Sequence, residues 1–377
     1  MIQFSINKAY FLQALNATKR AISSKNAIPI LSSLKLDITK STITLTGSNG
    51  QISIENTISS EDENAGLLIT EPGSILLEAN FFINIVSSLP DVSLDFEEIE
   101  HHQVVIRSGK SEITLKGKDI DQYPRLQEMT TTHPLLLETK MLKSIIAQTA
   151  FAASTQESRP ILTGVHMTLK TNRFKAVATD SHRMSQRQID LEKVFDDFDV
   201  VIPSRSLREF SAVFGDDIEQ VEVFLSPSQV LFRSEHTSFY TRLLEGNYPD
   251  TDRLLTNTFE TEVTFNTTSL RHSMERAQLI SNASQSGTVK LEIVSGKVSA
   301  HVNSPEVGKV NEEIDIETLS GNDLTISFNP TYLIDALKVI KSDTVTVRFI
   351  SPVRPFTLTP GDNSENFIQL ITPVRTN

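Results

Sequence analysis

Pro29-Ile30-Leu31-Ser32-Ser33-Leu34-Lys35-Leu36 returns 131 residues later as Pro160-Ile161-Leu162-Thr163-Gly164-Val165-His166-Met167. Asp121-Gln122-Tyr123-Pro124-Arg125-Leu126 returns more loosely, 125 residues later, as Gly246-Asn247-Tyr248-Pro249 followed by Arg253-Leu254. Recurrence in the same order at nearly the same spacing marks a repeated unit of about 125 residues. Three such units fill the 377 residues, and the expected division is 1–126, 127–252 and 253–377. A unit of that size can bury a core of its own, unlike a solenoid repeat.

Each third opens with a helical pattern, at Lys8 to Ser23, Lys140 to Ala153 and Leu270 to Asn282. Phe11, Leu15, Thr18 and Ile22 in the first, and Leu142, Ile145, Ile146 and Thr149 in the second, recur at helical spacing with polar residues between them. A shorter helix is expected near the middle of each third, at Ala79 to Leu89, Ser204 to Phe214 and Pro330 to Ile340. Asn329 before Pro330 is a cap followed by a first-turn proline, and Ser204 is a candidate cap for the second. Between the helices lie alternating segments such as Ile43 to Thr46, Val104 to Arg107, Glu222 to Leu225 and Thr344 to Phe349. Ser48-Asn49-Gly50, Ser108-Gly109-Lys110 and Ser295-Gly296-Lys297 supply hairpin turns. The expected class is α+β: three repeated domains, each an antiparallel sheet with two helices on one face. The joins near 126 and 253 contain no Gly/Ser-rich or Pro-rich spacer, which favours rigid stacking over a flexible string. Three like domains in an arc would close into a six-domain ring as a two-fold homodimer.

Composition narrows the function classes. There is no cysteine, which excludes disulfides, thiolate nucleophiles and cysteine-based zinc sites. No apolar run reaches membrane-spanning length, and the alternating Met1 to Ile6 is neither a basic nor an apolar leader, so a cytoplasmic protein without a membrane role is expected. The formal charge is −12, spread evenly over the thirds. A nucleic-acid role therefore requires basic residues gathered on one surface.

The catalytic fragments are weak. Gly109-Lys110-Ser111 ends like a phosphate-binding loop, but Val104 stands where that loop requires glycine, so a hairpin turn is expected. Asp180-Ser181-His182 holds the residue types of a hydrolytic triad, yet sequence neighbours do not converge as a relay. His101-His102 follows the acidic Glu97 to Glu100 and reads as a solvated loop. No catalytic residue, metal ligand or cofactor is assigned.

Six strings carry more than periodicity: Ala27 to Leu31, Ile106 to Ser111, Val177 to Met184, Glu245 to Asp250, Phe328 to Tyr332 and Ile371 to Arg375. Together, in order and across the whole chain, they resemble the bacterial sliding clamps, the beta subunits of DNA polymerase III. The resemblance implies a head-to-tail homodimer with a ring of six domains, helices lining the hole and sheets outside. It implies a processivity factor without catalysis, loaded onto duplex DNA by an ATP-driven loader and contacting DNA without regard to sequence. DNA-facing residues would be Lys25, Gln156, Arg159 and Arg205, while Ala79 and Asn80 stand where the family places basic residues. Lys8, Lys19, Arg20, Lys143, Arg208, Arg271, Arg276, Lys338 and Lys341 also lie on helix segments, where the residues alone read as a solvated face before a DNA-facing one.

The resemblance further implies a cleft for short peptide motifs of the replicative polymerase, other polymerases, the clamp loader and repair proteins. Its residues here would be Leu162, Thr179, His182, Arg183, Met184, Pro249, Arg253, Leu254, Asn329, Tyr332, Val353, Pro355, Thr372, Pro373, Val374 and Arg375. Without the family, Leu162, Met184 and Leu254 read as core, and exposure decides. Ser181 stands where the family usually has glycine, and the ending Thr372 to Asn377 departs from the family's. The dimer contact would set Ile113 and Leu115, on an edge strand, against Leu279 and Ile280 of the partner; burial within each domain is the alternative.

Overall fold

The structure, a computed structural model, describes residues 2–23, 28–90, 92–124, 129–256, 258–283, 287–362 and 366–375. Helix α1 spans Lys8–Lys19 and begins where the Asn7 side chain accepts the backbone N–H groups of Ala9 and Tyr10. Its buried residues are Phe11, Ala14, Leu15 and Thr18, the stripe expected from the pattern. Thr18 sits on that face because its hydroxyl donates to the Ala14 carbonyl at 2.9 Å, which removes the penalty of burying it. Thr149 does the same with the Ile145 carbonyl at 2.8 Å, so the repeat extends to the treatment of a single hydroxyl.

Helix α2 covers Ala79–Ser88, α3 Thr139–Thr149, α4 Ser204–Val213, α5 Thr267–Ser281 and α6 Pro330–Lys338. All six expected helices are present, with ends that differ. The first stops at Lys19 rather than Ser23, and the second at Thr149, where backbone angles of −121° and −45° lead into the tighter turn Ala150–Ala152. Asn329 caps α6 by accepting the Thr331 N–H at 2.9 Å, with Pro330 in the first turn.

Two compact units divide the chain. The first comprises Met1–Met141 and Glu209–Leu243, the second Leu142–Arg208 and Leu244–Asn377. In the first, a five-stranded sheet runs in the order Leu68–Glu71, Gln3–Asn7, Ser93–Glu98, Gln103–Ser108, Ser111–Lys116. Its eight-stranded sheet runs Leu135–Glu138, Gln220–Leu225, Gln229–Arg233, Thr237–Arg242, Ile52–Ser59, Thr42–Ser48, Ser33–Ile38, Gly73–Glu78. Strands of two sequence thirds meet in this sheet where Thr241 pairs with Ile52 and Phe239 with Ile54. Helix α1 packs on α2 and on Thr42–Ser48 and Ile52–Ser59, over a core that includes Phe4, Phe11, Phe82 and Phe96.

The second unit has a nine-stranded sheet in the order Phe198–Pro203, Gly164–Lys170, Arg173–Thr179, Arg183–Asp190, Phe367–Ile371, Phe356–Pro360, Thr344–Phe349, Thr261–Asn266, Thr318–Gly321. Here Arg183 pairs with Ile371, again joining two thirds. A four-stranded sheet runs Gly308–Ile314, Lys297–Ser304, Val289–Val294, Leu324–Phe328, and α5 packs on α6 and on its first two strands. Every strand pair in both units is antiparallel among the described residues, which is the α+β class expected.

Ser108 pairs with Ser111 across a turn in which Gly109 has φ 57°, so Gly109-Lys110-Ser111 is a hairpin. Among the described residues, no helix is long and apolar enough to cross a membrane.

Candidate functional site

The strands Arg173–Thr179 and Arg183–Asp190 are joined by a turn that the sequence builds around Asp180. One Asp180 carboxylate oxygen accepts the N–H groups of both His182 and Arg183 at 2.9 Å, a side chain closing its own turn. Ser181 sits in the left-handed region at φ 78°, which explains physically why glycine suits this position. Ser181→Gly is therefore expected to raise stability by about 0.5–1 kcal/mol, read as a shift in urea midpoint at constant slope. A loss would show that the Ser181 side chain contributes more than its backbone costs.

Arg183 organises the surroundings. Its Nε reaches Asp180 at 3.1 Å, one terminal nitrogen reaches Asp335 at 2.7 Å, and the other donates to the Phe151 carbonyl at 3.0 Å. The guanidinium also lies 4.9 Å from the Tyr332 ring centre and 5.4 Å from that of Phe151. A planar fork with fixed donors meets all these partners at once, which a lysine ammonium does not. His182 is exposed, its ring nearly parallel to that of Tyr332 at 6.3 Å. The His182 carbonyl accepts from both the N–H and the hydroxyl of Thr372, at 2.9 and 2.8 Å. Val374 donates its N–H to Ser327 at 2.7 Å, fixing the C-terminal segment beside the strand Leu324–Phe328. Burial, reinforced by the Asp180 charge, raises the Tyr332 hydroxyl pKa against the opposing pull of Arg183. With Asp180 held by the backbone and by Arg183, the triad reading of Asp180 and His182 has no geometric support.

Thr179 links this turn to the second copy of the Tyr-Pro motif. Its N–H donates to the Tyr248 hydroxyl at 3.0 Å and its own hydroxyl donates to the Arg183 carbonyl at 2.6 Å. Burial pushes the Tyr248 pKa up, and its ring stacks on His166 at 4.8 Å. Met184 packs with Val177 and Leu370, and Tyr248 and Leu255 close over them. Apolar surface is left on Leu254, which is 50% exposed, and on Val353 and Val374.

Of the expected cleft residues, Thr179, His182, Arg183, Met184, Tyr332 and Thr372 thus form one connected group. Asn329 joins it as the cap of the helix that carries Tyr332, and Pro373 follows Thr372 along the chain. Pro249 follows Tyr248, and Arg253 pairs with Asp250 at 2.7 Å. No hydrogen bond, ion pair or ring contact among the described residues ties Leu162, Val353, Pro355 or Arg375 to the group. Exposure divides the three residues that also read as core: Leu162 and Met184 are buried, Leu254 is not. Phe151 and Asp335 were not anticipated. The signal for Asp335 was its position three residues after Tyr332, which places both on one face of α6.

Other expected positions fall as follows. Lys25 lies outside the described residues. Gln156, Arg159 and Arg205 are exposed. Many helix cations are engaged locally: Lys8 with the Leu89 carbonyl, Arg20 with Glu209, Arg208 with the Ala150 carbonyl, Arg271 with Glu275, Arg276 with Glu312, and Lys338 with Asp335. Ser111–Lys116 is an edge strand as expected, with Ile113 half-buried on it. Leu115, two residues on and therefore on the same face of the strand, is buried in the core of the first unit, against which Ile113 also packs. Leu279 is 73% exposed and Ile280 packs partly on the core of its own unit.

Three domain families match the chain in order: the N-terminal domain of the DNA polymerase III beta subunit over residues 2–127, the central domain over 136–250 and the C-terminal domain over 252–375. The chain belongs to the DNA polymerase III beta subunit family. A beta sliding clamp of Streptococcus pneumoniae is 71% identical over 378 residues, covering 100% of both chains. The crystal structure of the beta subunit from Streptococcus pyogenes DNA polymerase is 74% identical with a TM-score of 0.96, and the sliding clamp of Bacillus subtilis is 38% identical with a TM-score of 0.95. Each covers 100% of both chains. The six strings quoted from the sequence are thus those of a beta subunit, and the turn around Asp180 is one of them.

Proposed function

We propose that this chain is a DNA sliding clamp that encircles duplex DNA as a homodimeric ring and tethers the replicative polymerase for processive synthesis. The observation that carries this is membership of the beta subunit family along the whole length, with all three domains matched in order. The reading divides the chain into clamp domains at 1–126, 127–252 and 253–377, places it in the cytoplasm with the chromosome, and gives it no catalytic step of its own.

The distribution of charge supports a topological mode of holding DNA. Six helix cations are already engaged by carbonyls and carboxylates of the same chain. Lys19, Arg205 and Lys341 form no ion pair among the described residues, and neither does the exposed loop residue Arg159. Few unneutralised cations give weak, salt-sensitive and sequence-blind contacts, which allow sliding but do not by themselves retain the protein. A closed ring supplies the retention. Ring closure falls to the edge strand carrying Ile113 and to the exposed Leu279 of the partner, with Leu115 and Ile280 supporting them from beneath.

The connected group around Arg183 serves as the rigid side of a peptide cleft, and Leu254, Val353 and Val374 offer apolar surface for an aliphatic or aromatic anchor. Its partners are short motifs of the replicative polymerase, the clamp loader, other polymerases and repair factors. Loaded onto nicked circular DNA, the protein is expected to stay bound through gel filtration and to be released when the circle is linearised. Equal retention on linear and circular DNA would overturn the ring.

A further inference from the structure

The repeat that defines the fold also repeats the position of the cleft. At the same offset of 131 residues, Leu31 corresponds to Leu162, Ser48 to Thr179, Gln51 to His182 and Ser53 to Met184, while at the offset of 125 Tyr123-Pro124 corresponds to Tyr248-Pro249. The backbone agrees. The Gln51 carbonyl accepts the N–H of Arg242 at 3.1 Å, as the His182 carbonyl accepts that of Thr372 at 2.9 Å. Each bond ties the turn of one third to the end of a strand from the next. The first unit therefore contains, entirely within itself, a counterpart of the place where the second unit builds its cleft.

That counterpart is a pocket of about 210 Å³. Its apolar side is formed by Ile28, Leu31 and Pro124, and its polar side by Gln51, Tyr240 and Arg242. Ile28 is 52% exposed, a large apolar side chain presented to solvent at the mouth. Two substitutions relative to the cleft make this pocket more polar, Met184 to Ser53 and Thr372 to Arg242. Arg242 is exposed and forms no ion pair among the described residues, in a chain whose net charge is −12. A guanidinium beside an apolar wall matches a carboxylate next to an aliphatic group, because its planar fork binds both oxygens together.

We propose that the pocket bounded by Ile28, Pro124 and Arg242 is a second peptide-binding site, taking a segment with an aliphatic anchor next to an acidic residue. The proposal rests on the reading of the Arg183 region as a peptide cleft, and it adds a site of different selectivity. The cleft takes apolar anchors; this pocket selects for a carboxylate. One clamp then engages two unlike peptides in the same protomer.

The probe is fluorescein-labelled Ala-Leu-Asp-Leu-Ala, with Ala-Leu-Asn-Leu-Ala as its neutral counterpart, titrated against the full-length protein by fluorescence polarisation. The aspartate peptide is expected to bind about tenfold more tightly than the asparagine peptide. Measured in a Leu254→Asp background, which silences the cleft, Arg242→Glu should weaken binding of the aspartate peptide about tenfold and Arg242→Lys only slightly. A second labelled peptide with adjacent leucine and phenylalanine anchors reads the cleft and should respond to Leu254→Asp alone. If the aspartate peptide fails to bind, is insensitive to Arg242→Glu, or is lost on Leu254→Asp, the second site is overturned, and the cleft reading stands or falls separately on the second peptide. Preferential binding of a short DNA duplex through Arg242 would also overturn it, as a nucleic-acid surface.

Discussion

Phe210→Ala is expected to cost about 4 kcal/mol in the stability of the first unit, within the range for deleting a buried phenylalanine. Phe210 is fully buried on α4, with ring centres of Phe214 and Phe232 each 4.6 Å away and Phe239 edge-on at 6.2 Å. Aromatic neighbours on two strands and just past the end of its own helix are rigid, so the space left by the ring stays largely open and dispersion contacts are lost on several sides. Urea unfolding followed by a fluorescent or far-ultraviolet signal should show the midpoint of one transition fall at constant slope. A loss under about 2 kcal/mol would mean that the cluster collapses into the cavity.

Arg183→Met should have the next largest effect, about 3 kcal/mol, because it leaves Asp180 and Asp335 with a missing partner in a largely buried setting. Methionine keeps the apolar stem over Tyr332 and Phe151 and removes only the charge and its donors. Arg183→Lys should recover only part of the loss, since an ammonium does not satisfy two carboxylates and the Phe151 carbonyl in one plane. On the proposed reading of this region as a peptide cleft, peptide affinity should fall in parallel, because the turn from Thr179 to Met184 loses its anchor. If stability drops by less than about 1 kcal/mol, solvent screens the network and it is ornamental to the fold.

How far the sequence could be read follows from the range of the forces involved. The stripe of Phe11, Leu15 and Thr18 was legible because helix packing is decided by spacing within a few residues, and Asn329-Pro330 marked a helix start for the same local reason. The end of α1 at Lys19 was not legible, because Ile22 continues the apolar period after the helix has ended. Pairing of Thr237–Arg242 with Ile52–Ser59 was invisible: alternation fixes which face a strand presents, and says nothing about its neighbour. The site shows the same division. His182, Arg183 and Met184 were marked by a string that resembles a family's, but Asp335 lies 152 residues from Arg183 and is found only by folding the chain. Leu162, Met184 and Leu254 are alike as sequence, and only the elements covering the first two tell them apart.

The strand ladders that join successive thirds have a mechanical consequence. Each consists of five residue pairs, from Thr237 with Asn56 to Thr241 with Ile52 in one unit, and from Arg183 with Ile371 to Arg187 with Phe367 in the other. A force along the strands loads all the rungs together, whereas a force that peels one strand from its neighbour breaks them in turn. Such a seam is stiff against sliding and weak against unzipping. Strain applied to either unit will therefore be carried as shear through its ladder until some part of it is turned across the strands.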